Sequence, residues 1–238
     1  MYKNKKVSVV IPTYNEAGSI RNIIDGFFLT SVVDEVLVID NNALGNTREE
    51  IEKTHARRIV ETKQGYGYAL MRGLREATGD LIIMCEGDGT FEPHDIHKFL
   101  IYSDTFSVVF GTRTSRAAIW SGAYMPFPVR LGNWAVAKFL EILHNGPTLT
   151  DVGCTYKLIT RESLERMFSL FSHSHGNGLF SPEFMMWTLK LGIVPIEIPI
   201  MFKPRVGKSM YTGGIRKAAQ LGFLMVLRII KYRFISIQ

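Results

Sequence analysis

The fold is decided first by the stretch VSVVIPTYNE, which occupies residues 7–16. Its opening residues, 7–11, form an apolar run rich in β-branched side chains that ends at Pro12. A short continuous run of this kind is typical of a parallel strand buried on both faces. Polar residues follow, and apolar residues then recur at helical spacing over 20–28. The stretch therefore predicts a buried strand, a loop and a helix.

The same alternation of strand and helix continues along the next hundred or so residues. Apolar runs predict further strands at 34–39, 58–61, 81–85 and 107–111, and helical spacing predicts helices at 47–54, 65–77 and 94–102. Such alternation implies an α/β fold with a mostly parallel, Rossmann-like sheet and helices on both faces. Ligands of such sheets bind beyond the carboxyl ends of the strands. The residues at those ends are 12–16, 40–42, 86–90 and 112–113.

The second half of the chain is less regular. It contains predicted helices at 131–144, 162–171 and 182–191, and predicted strands within 151–160 and at 193–199. A long apolar helix at 214–234 carries Lys217, Gln220, Arg228 and Lys231 along one stripe. Such an amphipathic helix can lie in a membrane interface, against the domain or in a dimer. We divide the chain into a domain at 1–212 and this C-terminal helix at 213–238.

Length and composition restrict the class of protein. The chain has 238 residues, 46% of them hydrophobic, which is enough for one folded domain. Two cysteines, Cys85 and Cys154, are too few for a disulfide scaffold and fit a reducing compartment. The net charge of +6 is spread along the chain, which favours phosphate-bearing substrates and a membrane surface over nucleic acid. No signal peptide or membrane-spanning stretch is visible, so we expect a cytoplasmic protein.

The strongest candidate for chemistry is the segment EGDG at residues 86–89. Glu86 and Asp88 flank a glycine directly after a predicted buried strand. Alternate residues of an extended segment point to the same side, so both carboxylates can reach one cation. Mg²⁺ and Mn²⁺ prefer oxygen ligands and often share their shell with substrate phosphates. A solvated turn is the alternative, but a position at the end of a central parallel strand favours a metal site.

The motifs, taken in order, resemble those of glycosyltransferase family 2. The segments at 9–16, 38–47 and 65–80 and the acidic pair are similar to that family's successive motifs. Downstream, 111–113, 151–154, Glu183 and 205–209 are similar to its dolichyl-phosphate mannose synthase branch. The resemblance covers residues 7–212. It implies a GT-A fold and the inverting transfer of a sugar from a nucleotide-diphosphate donor, with a polyprenyl-phosphate lipid as the expected acceptor.

The resemblance also implies roles for particular residues. The nucleotide-sugar would be bound by Pro12, Tyr14, Glu16, Asp40, Asp80 and Glu86. The metal, Mg²⁺ or Mn²⁺, would be held by Asp88 and Glu86, and the catalytic residues would be Asp88, Arg113 and Asp151. Phosphate and acceptor groups would be bound by Arg130, Arg205, Ser209 and Glu183. The family commonly has Asp where Glu86 stands, so Glu86 binds the metal either directly or through a metal-bound water.

The acceptor decides whether a general base is needed. A sugar hydroxyl must lose its proton to a carboxylate within about 3 Å, whereas a phosphate is already ionised. Asp151 and Glu183 are the candidate bases, with the alternatives of a turn cap and of an ordinary acidic residue in a helix's first turn. A glycan hydroxyl as acceptor, and a non-catalytic scaffold that binds nucleotide-sugar, are the alternative functions. With a lipid acceptor, the protein would lie peripherally at the cytoplasmic face of a membrane.

Overall fold

The structure is a computed structural model that describes residues 1–174, 176–207 and 215–234. Within these ranges the strands are β1 Val7–Thr13, β2 Glu35–Asp40, β3 Arg57–Val60, β4 Leu81–Met84, β5 Val108–Thr112, β6 Lys157–Thr160 and β7 Ile196–Pro199. The helices are α1 Ile20–Leu29, α2 Thr47–Glu52, α3 Tyr66–Glu76, α4 Ile96–Tyr102, α5 Phe127–His144, α6 Arg161–Met167, α7 Phe180–Lys190 and α8 Ile215–Phe234. Short 3₁₀ turns lie at Pro93–Asp95, Arg116–Ala118 and Phe168–His173.

The described strands form one sheet with the order β3-β2-β1-β4-β6-β5-β7. Strands β1, β2, β3 and β4 pair in parallel, and so do β5 and β7. The predicted mostly parallel α/β sheet is confirmed. Strand β6 is the exception, because it runs antiparallel between β4 and β5. Its amino end therefore lies at the edge where the parallel strands end, and residues 151–156 reach that edge from the opposite direction.

Hydrophobic side chains cover both faces of this sheet, as the sequence predicts. One core joins Val10, Leu37 and Ile82 to side chains of α3, α5, α7 and α8. The other core joins Val9, Val38 and neighbouring strand residues to α1 and α4. Gly73 allows α3 to lie close to the sheet, because a Cβ atom there would stand 2.2 Å from Val10 Cγ1. Alternate strand residues thus supply the two cores.

Helix α8 is packed on the domain. Met225, Ile229 and Tyr232 are buried in the core shared with α5 and α7, whereas Phe223 and Leu227 stay exposed. The predicted domain boundary at 212/213 falls outside the described residues. Among the described helices, none has both the length and the apolarity needed to cross a bilayer.

Candidate active site

The acidic segment follows β4 directly, at the carboxyl edge of the sheet. The Cys85 N–H donates to Val10 O at 3.0 Å, so this residue still belongs to the sheet's hydrogen-bonding pattern. At Gly87 a Cβ atom would lie 2.7 Å from Ile20 Cδ1, so a side chain there would require Ile20 to shift. Gly89 has a φ of +82°, a conformation that favours glycine. The glycines therefore allow a tight turn that presents the flanking carboxylates.

Asp88 is buried and asymmetrically bonded. Its Oδ1 accepts the Thr90 N–H at 2.9 Å and the Thr90 hydroxyl at 2.6 Å. Its Oδ2 accepts no hydrogen bond of good geometry from the described residues, although Arg205 Nη1 lies 2.6 Å away as an ion-pair partner. One oxygen is thus fixed, and the other faces positive charge. A cation bound at Oδ2 would take the place of the Arg205 guanidinium, and carboxylate oxygens are ligands that Mg²⁺ and Mn²⁺ prefer.

Glu86 lies beside Asp88 and adds to its negative charge. Its Oε1 accepts the Thr155 hydroxyl at 2.9 Å and lies 3.5 Å from the Tyr66 hydroxyl. Burial, together with the charge of Asp88, raises the pKa of Glu86 well above its usual range. A divalent cation would relieve the repulsion between the two carboxylates. The acidic pair therefore fits a cation electrostatically.

The described residues do not supply a complete set of protein ligands around that pair. In the described ranges, no cluster of three or more His, Cys, Asp or Glu residues has a geometry suited to a metal ion. A cation at Asp88 and Glu86 would need further oxygen ligands from water or from a bound phosphate group. Mg²⁺ and Mn²⁺ sites of this open kind are common in enzymes that bind phosphates.

Asp151 holds Arg113 in a fixed orientation. The Arg113 Nε and Nη2 atoms donate to Asp151 Oδ2 and Oδ1 at 2.8 and 2.9 Å, and the Arg113 N–H donates to Oδ2 at 2.9 Å. Burial alone would raise the pKa of Asp151, but the charge and hydrogen bonds of Arg113 outweigh it and lower that pKa. Asp151 is fully buried, so this geometry suits a positioning carboxylate and not the predicted general base.

A cavity of about 370 Å³ lies on one side of the acidic pair. Four of the residues predicted to bind the nucleotide-sugar line it, namely Pro12, Tyr14, Glu16 and Glu86. The Glu16 Oε2 atom accepts the N–H groups of Tyr14 and Asn15 at 2.6 and 2.7 Å, so the carboxylate also shapes the loop after β1. We refer to this space as the donor cavity.

Asp40 and Asp80 do not line the donor cavity. Asp40 is fully buried and forms ion pairs with Arg48 and Arg58 at 2.8 and 2.9 Å, while its neighbour Asn41 faces the cavity. Asp80 precedes β4, so it lies at the opposite edge of the sheet and accepts the Lys6 N–H at 2.7 Å. Arginine side chains hold the Asp40 carboxylate at the end of β2, and Asp80 stands at the opposite edge because it precedes β4, so the roles expected of both residues stay predictions.

A second cavity, of about 610 Å³, lies on the other side of the acidic pair. Apolar and small side chains of α5 and α8 form much of its wall, including Val129, Val136, Leu221 and Met225. Arg113 and Arg205 line it as well. We refer to this space as the acceptor cavity. It meets the donor cavity at the shared lining residues Tyr66, Glu86, Asp88 and Arg205.

The other residues expected at the acceptor are placed differently. Arg130 is on α5 but does not line the cavity, and its guanidinium lies 5.8 Å from the centre of the Phe127 ring. Glu183 is fully buried in α7 and lines neither cavity. Ser209 lies outside the described residues. Of this predicted set, Arg205 is the described residue that reaches the acceptor cavity.

Several lining residues were not singled out from the sequence. Tyr66 and Thr155 contact Glu86, and Asn41, Gly176 and Asn177 line the donor cavity. Tyr66 and Asn41 lie in the segments that resemble family motifs, so their positions in those motifs indicate a place at the site. Thr155 reaches the site because β6 is antiparallel. Gly176 and Asn177 lie in a segment with no sequence signal for the site.

The fold, with an acidic pair at this edge of the sheet, places the chain in the GT-A fold class. The structure is similar to that of glucosyl-3-phosphoglycerate synthase from Mycobacterium tuberculosis, solved with Mn²⁺, uridine diphosphate and phosphoglyceric acid. The TM-score is 0.72 at 16% identity, and the match covers 99% of this chain and 81% of the other. At this identity the likeness establishes the fold.

The sequence places the chain in a family within that class. The sequence model of glycosyl transferase family 2 matches residues 8–168, and the chain belongs to this family. The chain is 32% identical over 205 residues to glycosyltransferase AglJ of Haloferax volcanii, covering 84% of this chain but 63% of the relative. It is 27% identical over 223 residues to the undecaprenyl-phosphate mannosyltransferase of Micrococcus luteus, covering 88% and 89%. The predicted family is confirmed.

Proposed function

We propose that this chain transfers a sugar from a nucleoside-diphosphate sugar to a polyprenyl-phosphate, with inversion at the anomeric carbon. The observation that carries the proposal is the meeting of two unlike cavities at Glu86, Asp88 and Arg205. The smaller cavity adjoins the acidic pair and the loop after β1. The larger cavity combines two arginines with an apolar wall from α5 and α8. An acceptor with a phosphate head and a hydrocarbon chain matches that combination.

The proposed reaction is a single displacement. A phosphate oxygen of the acceptor forms a bond to the anomeric carbon, while the bond from that carbon to the donor's diphosphate oxygen breaks. The leaving nucleoside diphosphate takes the bonding electron pair. A divalent cation held by Asp88 and Glu86 would stabilise the charge that develops there. Arg113 and Arg205 line the acceptor cavity, where a planar guanidinium can bind phosphate oxygens through two hydrogen bonds.

The positions of the candidate bases favour a phosphate acceptor over a sugar hydroxyl. Asp151 is held by Arg113, and Glu183 is buried away from both cavities. A hydroxyl acceptor needs a carboxylate in reach of its proton, whereas an ionised phosphate does not. The M. luteus relative, whose name states an undecaprenyl-phosphate acceptor, supports the same choice.

Nucleotide binding is the first test of this function. In the presence of Mn²⁺, we expect UDP or GDP at 100-fold excess over its Kd to raise the midpoint of thermal unfolding by about 5 °C or more.

Sugar transfer is the second test, and a radiolabelled sugar should appear on a short polyprenyl-phosphate and not on the matching polyprenol. Transfer to the polyprenol or to a glycan hydroxyl would contradict the phosphate acceptor. Binding of nucleotide-sugar without any transfer would favour the scaffold alternative.

The proposed acceptor requires contact with a lipid surface, and the exposed side chains of α5 and α8 suit that contact. On α8, Phe223 and Leu227 are 63% and 47% exposed, and on α5 Leu131 and Trp134 are 48% and 45% exposed. Apolar helix faces of this kind bind the interface between lipid head groups and acyl chains. We therefore propose a peripheral location at the cytoplasmic face of a membrane.

Replacing both Phe223 and Leu227 with serine should weaken vesicle binding by at least about tenfold, since each loses apolar area that lipid would bury. The measurement is flotation with vesicles of phosphatidylcholine and phosphatidylglycerol. The matched control replaces Leu29 and Ile101, which are 75% and 62% exposed on α1 and α4, with serine. Equal flotation of the two double variants would reject the interface.

A further inference from the structure

Glu183 and Arg228 form a buried charged pair that the proposed chemistry does not use. Glu183 lies in α7 with its side chain fully buried, and its Oε1 accepts no hydrogen bond from the described residues. Arg228 of α8 places its Nε 3.8 Å from that oxygen, and its own side chain is 13% exposed. Either charge alone would be poorly solvated here, so separating the pair is costly. The pair therefore holds α8 against α7.

The second oxygen of Glu183 connects this pair to the donor cavity. The Ser174 hydroxyl donates to Glu183 Oε2 at 2.6 Å, and the oxygen of the same hydroxyl accepts the Gly176 N–H at 3.2 Å. The Gly176 carbonyl accepts the Gly67 N–H at 2.8 Å, in the first turn of α3. Gly176 itself lines the donor cavity. A continuous set of contacts thus runs from α8 to the cavity wall.

Helix α8 makes another contact with the stretch of chain that carries Ser174 and Gly176. We call residues 173–174 and 176–177 of this stretch the wall segment. The Tyr232 hydroxyl donates to the His173 carbonyl at 2.7 Å. The wall segment is also closely fitted to α3, because a Cβ atom at Gly176 would lie 2.2 Å from the Tyr68 ring. A shift of α8 would therefore act through this hydrogen bond on a wall segment that is packed directly against α3.

We propose that Glu183 and Arg228 are positioning residues that fasten α8 to the wall segment and so keep the donor cavity in its binding shape. The inference rests on the proposed function, because it concerns the affinity of the donor cavity for a nucleoside diphosphate. Since α8 also lines the acceptor cavity, its placement links the two substrates' sites.

The test measures the Kd of UDP and of GDP, each with Mn²⁺, by isothermal titration calorimetry. The Glu183→Gln variant leaves Arg228 without a counter-charge and should bind the nucleotide about fivefold or more weakly, within the usual range of coupling between sites. Tyr232→Phe removes one hydrogen bond to the wall segment and keeps the ring, so it should fold and bind more weakly by a smaller factor. The matched controls are Glu165→Gln and Tyr102→Phe, at exposed positions on α6 and α4, with unchanged Kd.

Steady-state kinetics separate positioning from a general loss of structure. A positioning role predicts a higher donor KM in both variants with kcat unchanged at saturating donor. If wild-type protein binds neither nucleotide, the proposed function fails and this inference fails with it. If wild-type protein binds but Tyr232→Phe and Glu183→Gln bind as tightly, the inference alone is overturned. Should Glu183→Gln not fold, an unchanged Kd for Tyr232→Phe overturns it.

Discussion

Replacing Asp88 with asparagine is expected to lower sugar transfer by about 10³-fold or more, with the protein still folded. Asparagine keeps an oxygen for the bonds from Thr90 but removes the negative charge at Oδ2, the oxygen that faces Arg205. A cation would then lose its best-placed protein ligand. The measurement is the initial rate of transfer to polyprenyl-phosphate at saturating Mn²⁺, with the thermal midpoint recorded in parallel.

The matched control for this change is Asp25→Asn, at a carboxylate on α1 that is 47% exposed and lines neither cavity. It should transfer sugar at the wild-type rate. Glu86→Gln should have a smaller effect than Asp88→Asn if Glu86 contacts the metal through water. Full activity of Asp88→Asn would reject the metal assignment at this residue.

Replacing Asp151 with asparagine is expected to reduce the free energy of unfolding at pH 7 by about 3 kcal/mol or more. The change leaves the Arg113 guanidinium, which is 14% exposed, without the carboxylate that now binds it through both oxygens. Urea unfolding followed by fluorescence measures the loss. The exposed pair of Asp104 and Lys3 offers a control, since Asp104→Asn should leave the urea midpoint nearly unchanged.

The ion pair of Asp151 and Arg113 also predicts that the stability of the protein depends on pH. The pKa of Asp151 is lower in the folded protein than in the unfolded chain, where it is near 3.9. Its stabilising contribution is therefore complete above the unfolded value and is lost as pH falls towards the folded value. The difference in stability between wild type and Asp151→Asn should narrow below about pH 4. A difference that is already absent at pH 7 would contradict the role of the pair.

Much of the fold was predictable because burial leaves a periodic record in the sequence. The runs at 7–11 and 81–85 are continuous and apolar, as strands buried on both faces require, and they became β1 and β4. The direction of a strand and the identity of the strands beside it leave no such periodic pattern in the sequence. The sequence indicated a strand within 151–160, but its antiparallel insertion between β4 and β5 depends on chain segments far apart in sequence.

The candidate site was predictable to the extent that it follows from strand ends. Pro12 lies near the end of β1, Tyr14 and Glu16 follow that strand, and the acidic pair follows β4. All of these residues line the donor cavity. Asp40 ends its strand, yet nearby arginines bind its carboxylate, and it does not line the cavity. Asp80 precedes its strand and so reaches the opposite edge. Motif position identified these residues, but their hydrogen-bond and ion-pair partners in the folded chain decide which of them face the donor cavity.

The sequence by itself determined the alternation of strands and helices, the family, and the placement of Glu86 and Asp88 at a strand's carboxyl end. These properties are local, because they depend on spacing along the chain. Only the tertiary structure decided that Asp151 holds Arg113, that Glu183 faces Arg228 across two helices, and that the acidic pair lies between two unlike cavities. Those arrangements depend on which distant segments pack together. A carboxylate's chemistry is set by the charges and donors that packing brings to it, and its neighbours in sequence do not fix them.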